Sequence, residues 1–185
     1  MKFIVLYAVV IIAIFAVIAI REDWFLKDSA TTPTLVNNPK NFKECVAAGM
    51  PIQESYPRQC RASNNTVFSE DIGNEFEKSD LIIAETPRPN SVVGNTFTVK
   101  GQARGYWYFE ASFPITVVDL NGKQIGQSIA QAQGEWMTEE FVPFSTVLEI
   151  TKTFSGEAKL LLHKDNPSGE AKNDDQLEIP IIISQ

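Results

Sequence analysis

The residues best able to do chemistry in this chain are one carboxylate inside an aromatic run and a single histidine. Glu110 lies within "GYWYFEASF", residues Gly105–Phe113. A glycosidase-type acid needs a second carboxylate at a fixed distance across a cleft, and the sequence singles out none. His163 would need an activated nucleophile, but no G-x-S-x-G motif is present. The sequence therefore predicts a protein that is not an enzyme and has no catalytic residues.

The cysteines offer redox or metal chemistry. Cys45 and Cys60 are the only two in the chain. Two thiols and one distant histidine cannot complete a four-ligand zinc site, so we predict no metal and no cofactor. In an oxidising compartment the two thiols form a disulfide, and closing a loop of about 15 residues stabilises the segment by roughly 3 kcal/mol. Two free thiols are the alternative.

An acidic segment near the C-terminus could supply oxygen ligands. Calcium prefers such hard ligands, but the spacing here fits no EF-hand loop, and two lysines interrupt the charge. We interpret residues 165–175 as a solvated turn, and a Ca²⁺ site stays open as the alternative. The acidic residues of this segment are Asp165, Glu170, Asp174 and Asp175.

The aromatic run could bind a partner. In a strand, Trp107 and Phe109 would face one way, and Tyr106 and Tyr108 the other. We expect one pair to fill the interior and the other to pack on a loop or on the cysteine-bearing segment. Exposed rings would instead suit a sugar ring or a partner protein, because they offer a large contact area at little entropic cost. The candidate binding residues are Tyr106, Trp107, Tyr108 and Trp136.

The N-terminus predicts a membrane anchor. Residues Phe3–Ile20 are uncharged, and at 1.5 Å per residue they span roughly 27 Å as a helix, close to the bilayer hydrocarbon thickness. A cleaved signal peptide would have a shorter apolar region ending in small residues, where this chain has Ile20 and Arg21. Lys2 before the span places the N-terminus in the cytoplasm. We predict a single-pass signal-anchor of the cell membrane, with the C-terminal domain extracytoplasmic.

Composition and charge exclude several classes of protein. Hydrophobic residues make up 44% and charged residues 21% of the chain, so a packed core is expected rather than disorder. The net charge of −7 argues against nucleic acid, whose phosphates need Lys and Arg to replace their counterions. A peripheral clamp onto anionic lipid is disfavoured for the same reason.

The elements that must position these residues are β-strands. From Asp80 onwards, short apolar or alternating runs are separated by turn signals. Residues Asn121 and Gly122 between two runs predict a hairpin. About seven strands in roughly 105 residues favour an all-β, immunoglobulin-like β-sandwich. The seven runs are "LIIAET", "TFTVKGQA", "SFPITVVDL", "QIGQSIAQA", "EFVPFSTVLEI", "EAKLLLHK" and "LEIPIIIS".

The chain divides into five predicted segments. The anchor is followed by a polar linker with two prolines, a small disulfide-containing segment, an acidic connector and the sandwich domain. Their predicted bounds are residues 1–26, 27–41, 42–70, 71–79 and 80–185.

The stretches "SDLIIAETPRPNSVVGNTFTVKGQARGYWYFEASFPITVVDLNG", "IAQAQGEWMTEEFVPF" and "HKDNPSGEAKNDDQLEIPI" resemble the Gmad2 domain. That is an immunoglobulin-like domain named from bacterial spore-germination and sporulation proteins. The resemblance covers about Asp80 to Ser184 and implies a cell-envelope module with no known catalytic residues. No second germination domain accompanies it in the sequence. The residues that carry the resemblance are Val99, Gly101, Ala103, Phe109, Glu110, Phe113, Trp136, Pro143, Phe144, Asp165, Pro167, Ser168 and Gly169.

The segment "CVAAGMPIQESYPRQC" and the residues after it resemble the reactive half of a Kazal-type protease inhibitor over about 20 residues. Kazal modules carry several disulfides, whereas this segment can form one. An inhibitory loop without those bridges would not be held rigid against a protease. We therefore interpret the segment as a small disulfide-closed spacer, with inhibition as the alternative.

Together these patterns predict a membrane-anchored, extracytoplasmic, immunoglobulin-like binding or scaffolding protein of the bacterial cell envelope. Its partner would be a wall polymer or another envelope protein, with no nucleic acid and no small-molecule substrate. A purely structural spacer without a ligand is the first alternative, and a Kazal-like inhibitor is the second.

Overall fold

The computed structural model describes residues 38–184. The predicted membrane span, Phe3–Ile20, and most of the predicted linker lie outside the described residues. Between residues 38 and 184, no helix is long and apolar enough to cross a membrane.

The described part of the chain is mainly β-structure, with short helices α1 and α2. Helix α1 spans Phe42–Ala47 and helix α2 spans Glu75–Lys78. Short 3₁₀ turns lie at Gly105–Trp107 and Ala171–Asn173. The strands are β1 (Ile52–Gln53), β2 (Gln59–Arg61), β3 (Val67–Ser69), β4 (Ile82–Thr86), β5 (Val92–Val93), β6 (Thr96–Arg104), β7 (Ser112–Asp119), β8 (Gln124–Ala132), β9 (Phe141–Ile150), β10 (Gly156–His163) and β11 (Gln176–Ile183).

All seven predicted strands are present, as β4 and β6 to β11. The large sheet nevertheless has eight strands, because the two-residue strand β5 lies between the first two predicted runs. Strand β5 pairs in parallel with the end of β11 through two residues, Val92 with Ile182 and Val93 with Ile183. Two residues are too few to show the alternation of apolar and polar residues that marks a strand in the sequence. Strand β5 therefore forms only because β11 lies beside it.

The large sheet curls so that its two edges come close together. Its strand order is β4-β6-β9-β8-β7-β10-β11-β5, so β4 and β5 lie at opposite edges. Only residues 87–91 connect these two strands. A link of that length spans at most about 20 Å, which means that the two edges must come close together. The sheet therefore wraps around one core as a sandwich-like fold.

The core is built from the inward residues of alternating strands. Every second residue of β11 is at most 1% exposed, as its sequence pattern predicts, in the series Leu177, Ile179, Ile181 and Ile183. Phe113 and Phe144 meet edge to face with ring centroids 5.0 Å apart, a preferred geometry for aromatic pairs.

Gly101 lets the neighbouring strands β4 and β6 of the large sheet lie close together. A Cβ at this position would lie 2.0 Å from the carbonyl oxygen of Ile83 and 2.8 Å from Cζ of Phe144. No side chain fits there without moving a strand. This close packing explains the glycine between Val99 and Ala103, both of which are fully buried.

The cysteine module, residues 42–69, has a small core of its own. Asn41 caps α1 by accepting a hydrogen bond from the Glu44 amide at 2.8 Å, and Gly49 follows the helix with φ of +70°. The predicted disulfide between Cys45 and Cys60 is confirmed, and both residues are fully buried. It joins α1 to the antiparallel sheet of β1, β2 and β3.

Candidate functional site

The aromatic run is a turn rather than a strand. Residues Gly105–Trp107 form a 3₁₀ turn with three residues per turn, so the expected alternation of faces does not hold. The neighbours Trp107 and Tyr108 are both buried, at 0% and 4% exposure. Tyr106 and Phe109, on either side of them, are 50% and 41% exposed. The run therefore contributes one pair to the core and one pair to the surface.

Trp107 and Tyr108 have structural environments. The Tyr108 hydroxyl donates a hydrogen bond to the Val142 carbonyl at 2.7 Å, and burial raises the pKa of Tyr108. The Trp107 indole Nε1 has no hydrogen-bond partner among residues 38–184. A partner reaches neither side chain without opening the core. Of the predicted binding residues, this leaves Tyr106 exposed and Trp136 half-buried against the core.

Glu110 lies at the tip of a tight hairpin. Phe109 and Ser112 exchange two backbone hydrogen bonds of 3.0 Å. Between them, Glu110 and Ala111 have φ of 48° and 60°, the positive values that a type I′ turn requires at both central positions. The Glu110 side chain points to solvent on the exposed tip.

Three loops meet at one end of the sandwich, which we call the loop end. Each strand of the series β6-β9-β8-β7-β10 is antiparallel to the next, so β6, β8 and β10 run in the same direction. The loops that follow them are residues 105–111, 133–140 and 164–175. The Gly105 amide donates to the Glu140 carbonyl at 3.2 Å, and the Asp165 amide donates to the Trp107 carbonyl at 3.0 Å. The first loop is thus bonded to both others.

Apolar side chains and carboxylates share the surface of the loop end. Tyr106, Phe109 and Met137 are exposed, Met137 by 74%. The backbone of Trp136 packs against Gly105: a Cβ on Gly105 would lie 2.2 Å from the Trp136 carbonyl oxygen. The loop containing Trp136 and Met137 therefore packs directly beside Tyr106. Carboxylates in the three loops are Glu110, Glu135, Glu139, Glu140, Asp165, Glu170, Asp174 and Asp175, and the basic side chains at their bases and within them are Arg104, Lys164 and Lys172.

The acidic loop, residues 164–175, is organised by its own hydrogen bonds. The Asn166 side-chain amide donates to Asp174 Oδ1 at 2.7 Å and to the Glu170 carbonyl at 2.9 Å. Lys172 pairs with Glu170 at 2.6 Å. In the part of the chain that the structure describes, no group of three or more His, Cys, Asp or Glu residues is placed to hold a metal ion.

His163 lies half-buried at the end of β10. Its Nε2 is 2.8 Å from the Thr116 hydroxyl on the neighbouring strand β7. Burial lowers the pKa of His163, and the nearby charge of Asp174 opposes that shift. The lowered pKa keeps the imidazole neutral near pH 7, as a partner of the Thr116 hydroxyl.

The cysteine module is joined to the sandwich by a polar clamp that sequence reasoning missed. One half of the clamp is the bidentate pair of Arg58 with Glu70, with N–O distances of 2.9 and 2.5 Å. Asn90 of the β4–β5 link donates to the same Glu70 at 3.1 Å. The Arg58 guanidinium holds the pKa of Glu70 below its usual value. Glu70, the residue directly after the cysteine module, thus bonds to both the module and the sandwich.

The other half of the clamp surrounds a buried carboxylate. Glu75 of α2 is 7% exposed and accepts hydrogen bonds from the Tyr56 hydroxyl and from Arg88, the latter at 2.5 Å. Arg88 also donates to the Ala84 carbonyl at 2.7 Å, next to the core. Burial and the Glu75 carboxylate raise the pKa of Tyr56 to about 12. These partners are far apart in sequence, and no local pattern marks them.

The wrapped, mainly antiparallel sheet, its single core and its clustered loops define an immunoglobulin-like β-sandwich domain. The family model for Gmad2, the immunoglobulin-like domain of bacterial spore germination, matches residues 81–171. Residues 81–171 therefore form a Gmad2 domain, which confirms the resemblance seen in the sequence. The matched range begins at the residue before β4 and ends inside the acidic loop. A comparison with curated proteins finds no match.

The match of residues 81–171 to this family supports an extracellular binding or structural domain. The cysteine module lies outside the matched range, and its Kazal resemblance stays a prediction. The division of the chain into five segments also stays a prediction.

Proposed function

We propose that this protein is a membrane-anchored, extracytoplasmic binding module of the bacterial cell envelope that contacts a partner through its loop end. The observation that carries the proposal is the exposure of Tyr106, Phe109 and Met137 on loops that are bonded to one another. Contiguous exposed apolar patches rimmed by polar residues mark interaction sites. Loops held by a rigid scaffold are also where immunoglobulin-like folds place their binding residues.

The core makes the loop end a pre-organised surface. Tyr106 is followed directly by the buried Trp107 and Tyr108, and Gly105 before it is packed against the 133–140 loop. The backbone that carries Tyr106 is therefore fixed from both sides. A fixed backbone lowers the ordering cost of binding, because little conformational entropy remains to be lost.

The envelope location is supported by the sequence and by the family. The uncharged segment Phe3–Ile20 has the length of a membrane helix, and the disulfide suits an oxidising compartment. In this proposal the domain acts by contact alone, without catalysis and without a cofactor.

A purely structural spacer is the second candidate, and the polar clamp favours it. Glu70 and Glu75 tie the cysteine module to the sandwich, as a rigid spacer would require. Protease inhibition is not part of the proposal. The Cys45–Cys60 loop uses two of its long side chains within the molecule, since Tyr56 bonds to Glu75 and Arg58 bonds to Glu70. These side chains are therefore not free to contact a protease.

The proposal is tested by cross-linking in intact membranes that contain the full chain. We expect native protein to capture a defined set of envelope partners and the variant Tyr106→Ala/Met137→Ala to capture them at least tenfold less. The matched control is Ile129→Ala/Val147→Ala, which removes exposed apolar side chains from strands β8 and β9. Equal capture by native protein and the loop-end variant would favour the spacer.

A further inference from the structure

We propose that the occupant of the loop end is a basic segment of a partner protein that carries an aromatic or aliphatic anchor residue. This inference rests on the proposed function and names the chemistry of its partner. It depends on the charge that surrounds the exposed apolar side chains, which the contact proposal does not need.

The charge of the loop end is strongly one-sided. Carboxylates outnumber basic side chains by eight to three across residues 104–112, 133–141 and 164–175. Three of these carboxylates have a basic partner within the molecule: Lys172 pairs with Glu170 at 2.6 Å, Lys78 of α2 pairs with Asp175 at 2.6 Å, and Arg104 approaches Glu140 at 3.9 Å. Within residues 38–184, Glu110 and Glu139 make no ion pair. Their charge is therefore available to a partner.

The free carboxylates border the apolar side chains. Glu110 follows Phe109 directly, and Glu139 lies two residues after Met137. A partner that covers Tyr106, Phe109 and Met137 must bring its own groups close to these acids. Lys or Arg side chains gain attraction there, whereas an anionic wall polymer is repelled. An apolar surface that is bordered by carboxylates thus favours a partner segment that is both apolar and positively charged.

The ion pair between the cysteine module and β10 lies at the opposite end of that strand from the loop end. Lys43 of the module forms an ion pair with Glu157 at the beginning of β10. The acidic loop begins after His163, at the other end of this strand. Six residues of strand separate these points by about 20 Å.

The test uses isotope-labelled full chain in a nonionic detergent, titrated with two synthetic peptides. One peptide is Lys-Trp-Lys-Leu-Lys-Leu-Lys, and the other has Glu in place of every Lys. We expect the basic peptide to shift the amide resonances of the three loops, with an affinity that falls at least tenfold between 50 and 300 mM salt. We expect no binding of the acidic peptide at the same concentrations.

Two variants separate the apolar and electrostatic parts. Tyr106→Ala/Met137→Ala and Glu110→Lys/Glu139→Lys should each weaken the basic peptide at least tenfold. The control Ile129→Ala/Val147→Ala should leave its affinity unchanged, and the amide spectrum of each variant reports whether the fold is intact. No binding up to millimolar concentration, equal binding of both peptides, or shifts outside the three loops would overturn the proposal.

The two proposals fail in different ways. If membrane cross-linking depends on Tyr106 and Met137 but the basic peptide does not bind, the contact function stands and the cationic partner is wrong. If an anionic wall-polymer fragment shifts the same loops more strongly than the basic peptide, the partner class is also wrong. If the loop-end variant loses no partner in membranes, the proposed function itself fails.

Discussion

Glu110 and Ala111 occupy backbone conformations that residues with a Cβ disfavour. Their φ values of 48° and 60° are those for which Asn and Gly are the preferred residues of a two-residue hairpin. The turn brings Phe109 and Ser112 into a bridge at the entry to β7. The conformation of two exposed residues therefore helps to position an aromatic side chain of the loop end.

Replacing this pair by Asn-Gly should stabilise the fold. We expect Glu110→Asn/Ala111→Gly to raise the free energy of unfolding by about 1 kcal/mol, since the left-handed conformation costs an L-residue roughly that amount. Urea unfolding followed by fluorescence measures the change. The control Ala132→Gly, in strand β8, should lower stability instead. A less stable hairpin variant would contradict this account of the turn.

His163 should make stability depend on pH. Burial lowers its folded-state pKa below the unfolded value of about 6.5, so the unfolded chain binds a proton more readily. The free energy of unfolding should therefore fall as the pH drops through about 6.5, and level off below the folded-state pKa. We expect His163→Gln to lack this loss between pH 7.5 and 5.5. Parallel pH profiles of native protein and variant would show that the histidine is not the cause.

At the scale of single elements, the pairing of β4 with β6 requires a glycine, which has no side chain, at position 101. Gly101 faces the Ile83 carbonyl so closely that a Cβ would overlap it. Strand β4 forms one edge of the large sheet, and the link after it carries Arg88 of the clamp. Close contact at Gly101 thus supports both the sheet edge and the attachment of the cysteine module.

Gly101→Ala should destabilise the domain by about 3 kcal/mol, because the new methyl group must push β4 away from β6. Thermal unfolding measures the loss. The matched control is Gly94→Ala, since a Cβ at Gly94 meets nothing within 4 Å. If both variants unfold at the native temperature, the strands tolerate more separation than this packing implies.

At the scale of the whole molecule, two cores of different size are joined by buried and half-buried polar groups. The sandwich core contains the large aromatic and aliphatic side chains, whereas the module core consists of Cys45, Cys60 and Ala62 with partly buried neighbours. So small a core cannot bury enough apolar area to be stable alone. The disulfide and the clamp must therefore supply most of the stability of the module.

Removing the disulfide should open the module before the sandwich. For Cys45→Ser/Cys60→Ser we expect residues 42–69 to lose about 3 kcal/mol of protection against amide hydrogen exchange, the chain-entropy value for a loop of this length. Protection in β6 to β11 should stay native, because their core is separate. Equal loss of protection in both parts would show instead that they unfold as one unit.

The sequence by itself determined the seven long strands, the hairpin at Gly122, the cysteine pair and the family. Alternation with period two, turn residues and the number of cysteines are local properties, and each can be recognised without knowledge of the partner strand. The tertiary structure alone decided the rest. Strand β5 exists because β11 lies beside it, and the clamp joins Tyr56, Glu75 and Arg88 across the chain. It also decided that Trp107 is buried and Tyr106 exposed, because a 3₁₀ turn bonded to two other loops replaced the alternation that a strand would have imposed.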